Sequence, residues 1–104
     1  MSIQGQKPNH AHIQLAPNAD NGNQRLTFLD SEIVNLHAKT DKPGAEYDVV
    51  IYDQGANELF REHVKSEHTE WGRRIDLEMG DDNYPIIAVE NVKGDARVFD
   101  VFAE

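Results

Sequence analysis

The sequence predicts a mainly β protein, built as an antiparallel β-sandwich of about seven strands. Three observations support this prediction. Apolar and polar residues alternate in short segments such as residues 47–52, with the two-residue period of a strand. Turn-forming Gly, Pro, Asn and Asp recur about every 8–12 residues, a spacing typical of sandwiches and barrels. Leu, Ile, Val and Phe make up about a quarter of the 104 residues, which is enough for a modest folded core.

The first half of the chain contains a polar start and three predicted strands. Residues 1–9 predict a flexible N-terminal arm ahead of a single sandwich domain over residues 10–104. Alternation over residues 12–15 predicts the first strand. Asn21 and Gly22 then predict a type I′ hairpin turn, because both central positions of that turn need positive φ, and the chain would return as the second strand. Residues 32–38 alternate again and predict the third.

The second half is richer in β-forming residues. Residues 47–52 have the pattern of a central strand, and residues 74–78 alternate between charged and apolar side chains. Residues 84–89 are strongly β-forming, although Pro85 lacks a ladder donor and indicates an edge or a strand start. Alternation over residues 98–103 predicts the last strand.

The segment near 57–70 fits two structures. Phe60 and Val64 lie on one helical stripe, and Asn57 would be a good N-cap. As a strand, the same segment would return from a turn that precedes Asn57. We favour a strand followed by a loop, and the alternative is an α+β fold with one helix near 57–70.

Turn glycines and apolar alternation also carry a family resemblance. The pattern is a strand, a turn, a crossing strand and a second hairpin, on the motifs Asp53-Gln54-Gly55, Leu59-Phe60, Ile75-Asp76-Leu77, Gly80 with Tyr84, and Gly94. With these motifs, residues 46–104 resemble the immunoglobulin-like β-sandwich modules found at the C-termini of many secreted and surface proteins. The resemblance implies an immunoglobulin-like sandwich that binds or tethers and has no catalytic residues.

Alternation also selects the side chains that should face the core. They are Leu15, Leu26, Phe28, Val34, Leu36, Val49, Ile51, Ile75, Leu77, Tyr84, Ile86, Phe99 and Val101.

The charge distribution limits the possible partners. The formal net charge is −9, and all of it falls in residues 46–104. This acidic half would repel phosphate backbones and anionic lipid surfaces, so nucleic acid and membrane are not expected as partners. A basic protein is the expected partner, and a homodimer formed through an edge strand is an option. The candidate binding residues are Trp71, Glu62, Glu67, Glu70, Asp81 and Asp82.

His10 and His12 form the one motif with metal-ligand spacing. On a strand both imidazoles lie on one face and could share Zn²⁺ or Cu²⁺, with a further ligand from His63 or His68. The bland interpretation is two exposed histidines near a flexible end.

The sequence therefore predicts a non-catalytic module that binds proteins through its acidic surface. The alternative is a small metal-binding protein or metal-dependent enzyme that uses His10 and His12. No cofactor is indicated, and no nucleophile elbow or phosphate-cradling loop is recognisable, so an enzyme is the less favoured class. The chain has no Cys and no apolar signal segment, which predicts a cytoplasmic protein.

Overall fold

The computed structural model describes residues 10–25, 33–65, 67–76 and 85–103. Eight strands form two four-stranded sheets. They are β1 (His10–Gln14), β2 (Gly22–Arg25), β3 (Ile33–Thr40), β4 (Glu46–Tyr52), β5 (Glu58–Lys65), β6 (Glu70–Asp76), β7 (Ile86–Lys93) and β8 (Val98–Ala103). The first sheet has the order β1-β8-β3-β6, and the second has the order β2-β7-β4-β5. Among the described residues there is no helix that is long and apolar enough to cross a membrane.

The strand order is that of a jelly roll. Every strand pair is antiparallel, and strands from the two ends of the chain are neighbours in both sheets. The predicted antiparallel β-sandwich is thus confirmed, with eight strands. Its connectivity differs from the immunoglobulin-like order implied by the resemblance, in which the first strand lies beside the second.

The segment near 57–70 is extended, as we preferred from the sequence. β5 begins at Glu58 and pairs with β4 along its length, so the helical alternative is not observed. The turn before it is closed by hydrogen bonds from the backbone N–H of Asn57 to Asp53 Oδ1 and from Ala56 to the Asp53 carbonyl. The spacing of Phe60 and Val64 is four residues, which puts both on one face of a strand as well as of a helix.

The expected hairpin at Asn21 and Gly22 is wrong. β1 pairs with β8 in the first sheet and β2 pairs with β7 in the second, so the loop between β1 and β2 crosses the sandwich. A Cβ on Gly22 would lie 2.5 Å from Ile13 Cγ2 and 2.7 Å from Leu15 Cδ2. The glycine therefore permits a close approach between the two sheets and does not serve a type I′ turn.

The core lies between the two sheets. Of the predicted core residues, Leu15, Leu36, Val49, Ile51, Ile75, Phe99 and Val101 are buried. Ile86 is an error, because it is half-buried on the outer face and Ile87 faces inward. The side chains of Leu26, Phe28, Val34, Leu77 and Tyr84 lie outside the described residues, as does the predicted arm over residues 1–9.

Candidate functional site

The outer face of the second sheet carries a groove of about 260 Å³. β4 and β7 form its floor, where Tyr52 lies directly opposite Ile86 and Val50 directly opposite Ala88. β2 and the loop before it form one wall, and the turn between β4 and β5 closes an end. The lining residues are Asn21, Gly22, Asn23, Tyr52, Ala56, Ile86, Ala88 and Glu90. We refer to this feature as the groove.

The floor is apolar although it lies outside the core. Val50 and Ala88 are 0% and 3% exposed, yet neither belongs to the cluster between the sheets. Because Val49 and Ile51 point into that cluster, Val50 points outward, in keeping with strand alternation. The larger side chains of Tyr52, Arg61 and Glu90 on the same face surround this small apolar patch.

A hydrogen-bonded cluster fixes the side of the groove. Tyr52 Oη donates to Glu90 Oε2 at 2.5 Å, and Arg61 Nη2 donates to Glu90 Oε1 at 2.8 Å. The bond from Tyr52, joined by the Arg61 guanidinium, outweighs burial and lowers the pKa of Glu90. The same bond raises the pKa of Tyr52. At neutral pH the groove therefore presents a carboxylate acceptor and a protonated phenol.

Arg61 joins this cluster to the rest of the face. Its Nε donates to Glu58 Oε1 at 2.9 Å, and its Nη1 donates to Asp48 Oδ2 at 2.7 Å. Three carboxylates thus share one guanidinium, whose fork geometry suits several acceptors at once. Asn91 Nδ2 also donates to Asp48 Oδ2, at 3.0 Å.

His63 bridges two further carboxylates on this face. Its Nδ1 lies 2.7 Å from Asp48 Oδ1, and its Nε2 lies 2.7 Å from Glu46 Oε2. Ionised carboxylates only accept hydrogen bonds, so both bonds form fully when the ring is the doubly protonated imidazolium. The bonds to Asp48 and then Glu46 raise the pKa of His63, and the same bonds lower the pKa values of Asp48 and Glu46.

The His63 cluster predicts a defined pH dependence of stability. A raised His63 pKa contributes stability below its ordinary value of 6.5, and this contribution is lost as the pH rises through the folded-state pKa. The lowered pKa values of Asp48 and Glu46 contribute stability that is lost as the pH falls below about 4. We expect the thermal midpoint to fall between pH 6 and pH 8, and His63→Gln to remove most of that fall.

The control for this prediction is His37→Gln, which removes an exposed imidazole from the other sheet. Thermal unfolding of the three proteins would be followed by circular dichroism across the pH range. An unchanged pH profile in His63→Gln would contradict the assignment.

The first sheet carries the two predicted metal ligands. His10 and His12 point to one face of β1, as the sequence predicts, and Asp100 of β8 lies directly opposite His12. Asp100 Oδ1 lies 2.7 Å from His10 Nε2 and 2.6 Å from His12 Nδ1. Burial raises the pKa of Asp100, but the hydrogen bonds from His12 and His10 outweigh it and the net shift is downward. The ligands considered as a third member from sequence are not at this site: His63 is bound to Glu46 and Asp48 on the other sheet.

The predicted binding residues are spread over several environments. Trp71 is half-buried against the core, and with Glu70, Lys39 and His37 it lines a second cavity of about 220 Å³ at the edge of the first sheet. Glu62 pairs with Arg73, and Glu70 Oε1 lies 3.4 Å from Lys39 Nζ.

The remaining predicted binding residues are placed as follows. Glu67 is exposed between β5 and β6. Asp81 and Asp82 lie outside the described residues.

The groove residues were missed from the sequence. Asn21 and Asn23 were interpreted as turn formers, and Tyr52 and Glu90 as parts of separate strands. The detectable signal was Val50, an apolar residue on what should be the polar face of its strand. Nothing local shows that β2, β4 and β7 are neighbours, because their pairing joins residues far apart in the chain.

Comparison with known proteins gives few relatives. No family model matches the chain, and no curated protein matches it. One solved structure that is similar is titled "Carbohydrate-Binding Module CBM36 in complex with calcium and xylotriose". The match has 15% sequence identity and a TM-score of 0.48, and it covers 100% of this chain and 93% of the other.

This finding contradicts the function predicted from the sequence, since the matched module is titled as binding carbohydrate. The prediction of a protein-interaction module acting through its acidic surface is wrong, and the alternative function based on His10 and His12 is not better supported. The geometry provides a physical reason for the correction. Many carboxylates are neutralised within the chain and do not form an open acidic surface, namely Glu46, Asp48, Glu58, Glu62, Glu70, Glu90 and Asp100.

Proposed function

We propose that the domain binds a neutral carbohydrate in the groove on the second sheet. The observation that carries this proposal is the combination of Tyr52, two Asn side chains and one carboxylate around a small apolar floor. Ligand sites are typically concave and apolar, with a few polar groups that set orientation. A sugar ring matches such a site because it has an apolar C–H face and a rim of hydroxyl groups.

Tyr52 and the floor supply the apolar contact. The ring is half-buried, and its hydroxyl is held by Glu90, so the aromatic face has a fixed orientation before any ligand arrives. Ala88 is small and leaves space beside the ring, while Ile86 extends the apolar surface. The volume of about 260 Å³ is near the lower end of the usual ~300–1,000 Å³ for ligand pockets. It suits a single sugar unit with its neighbours lying over the open side.

Asn21, Asn23 and Glu90 supply the polar contacts. An amide offers both donors and an acceptor, so it can bond to a hydroxyl in either direction, and the carboxylate accepts. Asn21 is already positioned, because its Oδ1 accepts a hydrogen bond from the Asn91 N–H at 3.1 Å. That bond uses the amide carbonyl, and the N–H donors of the same side chain would meet a ligand oxygen.

Charge selects against acidic sugars. Glu90 is ionised at neutral pH, and the chain has a net charge of −9, so a uronic acid or a sugar phosphate would be repelled from the groove. A neutral oligosaccharide avoids this cost.

Calorimetric titration with a panel of oligosaccharides tests the proposal. The panel contains neutral xylo-, cello- and manno-oligosaccharides and acidic galacturonate oligomers. We expect binding of at least one neutral series and none of the acidic one. Tyr52→Ala should weaken the affinity about 10- to 100-fold, and Asn23→Ala about tenfold, the equivalent of one lost hydrogen bond.

Asn35→Ala is the matched control for the polar contact, since Asn35 is an exposed amide on the outer face of the first sheet. Its affinity should equal that of the wild type. The proposal fails if no neutral sugar binds, or if Tyr52→Ala and Asn23→Ala bind as well as Asn35→Ala. Circular dichroism of each variant separates loss of the site from loss of the fold.

A further inference from the structure

We infer that His10, His12 and Asp100 form a binding site for a Zn²⁺-class transition-metal ion on the outer face of the first sheet. This site lies on the opposite sheet from the groove, and the inference does not depend on carbohydrate binding. It concerns the site alone and assigns no reaction to the domain.

Convergence of three donor atoms is the primary observation. His10 Nε2, His12 Nδ1 and an Asp100 oxygen all lie within 4.8 Å of one another. Both nitrogens point at the same atom, Asp100 Oδ1, at 2.7 and 2.6 Å. A cation with ligand bonds of about 2.0–2.2 Å, as for Zn²⁺ with imidazole and carboxylate, fits among atoms so arranged after small side-chain rotations.

The backbone places these ligands without using flexible loops. Residues two apart on a strand point to the same side, so β1 presents both imidazoles to one face. The antiparallel register then sets Asp100 directly opposite His12 and Phe102 directly opposite His10. Rigid strands hold ligand positions more accurately than loops do.

Neighbouring side chains restrict the two rings. The His10 ring stacks on Phe102, with centroids 4.3 Å apart and planes 11° from parallel. The backbone N–H of His12 donates to Gln24 Oε1 at 3.0 Å, which ties β1 to β2 of the other sheet. Lys39 lies opposite Asp100 on β3, but its ammonium group is paired with Glu70 at 3.4 Å.

The donor set selects the kind of ion. Two imidazole nitrogens and one carboxylate suit Zn²⁺, Cu²⁺ or Ni²⁺, whereas Ca²⁺ takes about six to eight oxygen ligands. His12 is 55% exposed, so a coordination position beyond the three side chains is accessible to water or to an external ligand. Three protein ligands with one open position form a complete set for Zn²⁺.

Titration of the metal-free, tag-free protein with Zn²⁺ alone tests the inference. We expect one Zn²⁺ per chain and no binding of Ca²⁺ that depends on these histidines. His12→Ala should weaken Zn²⁺ binding about 100-fold or more, since even indirect ligand partners usually contribute 10- to 100-fold. His37→Ala is the matched control, because it removes another exposed histidine from the same sheet face and should bind Zn²⁺ as the wild type does.

Nitrogen NMR of the histidine rings identifies the ligating atoms. Zn²⁺ should shift His10 Nε2 and His12 Nδ1 and leave His63 unchanged. Asp100→Asn provides a second variant, with thermal unfolding as the check that it folds. Wild-type affinity in His12→Ala, equal losses in His37→Ala, or the absence of stoichiometric Zn²⁺ would each overturn the inference and leave the three side chains as a hydrogen-bonded cluster only.

Discussion

Phe99→Ala should lower the free energy of unfolding by about 3–5 kcal/mol, the usual cost of truncating a buried phenylalanine. Phe99 is fully buried and packs edge-on against Tyr47, with ring centroids 4.9 Å apart at 69°. Truncation would remove transfer energy, leave a cavity and cost the aromatic pair. A domain of this size is stable by only about 5–15 kcal/mol, so the loss is a large part of the total.

Phe102→Ala is the matched control for that prediction. Phe102 lies on the same strand but points outward and is half-buried against His10, so its loss should cost only about 1 kcal/mol. Urea denaturation gives both values. If Phe99→Ala does not fold, Phe99→Leu should fold with a loss of about 1–2 kcal/mol. Equal costs at the two positions would contradict the assignment of inner and outer faces.

Tyr47 explains why this part of the core is sensitive. Burial raises the pKa of Tyr47 to about 12, so the phenol stays neutral in the interior at physiological pH. Its ring and that of Phe99 are the two largest fully buried side chains, and they come from different sheets. The contact therefore joins the sheets directly.

Local patterns predicted the strands because strand alternation depends only on neighbouring residues. Val49 and Ile51 were correctly placed in the core, and the segment after Asn57 was correctly preferred as a strand. Ile86 failed for a related reason. Residues 86–89 are all apolar, so alternation has no polar partner that identifies the inward face, and Ile87 is buried in its place.

Sheet membership could not be predicted from the same patterns. Asn21 and Gly22 favour a hairpin locally, but β1 and β2 bury more apolar surface when each joins a different sheet. The same long-range pairing brings Asp100 to His10 and His12 from almost the other end of the chain. The histidine pair was visible in sequence, whereas its third partner required the register between β1 and β8.

The groove shows the same limit at the level of function. Its polar residues are common turn and strand residues, and none forms a motif with fixed spacing. Acidic residues looked like an open docking surface when counted along the chain. In three dimensions, Arg61 and His63 neutralise many of those on the second sheet, which turns an apparent charge patch into a bonded framework beside the groove.

Arg61→Met should lower the free energy of unfolding by about 1–3 kcal/mol. The methionine keeps an aliphatic stem over Val50 but removes the cation shared by Asp48 and Glu90, whose side chains are only 13% and 24% exposed. Unpaired buried charges cost about 3–5 kcal/mol, and the 34% exposure of Arg61 reduces that figure through solvent screening.

Lys39→Met provides the comparison for Arg61, because the Lys39–Glu70 pair is well exposed on both sides and should contribute about 0.5 kcal/mol or less. Urea denaturation at pH 7 measures both variants. A double-mutant cycle of Arg61→Met with Glu90→Gln should then show a coupling of about 1 kcal/mol or more, as expected for groups in one network. If Arg61→Met costs no more than Lys39→Met, the cluster does not stabilise this face, and the fixed orientation of Tyr52 in the groove must come from packing alone.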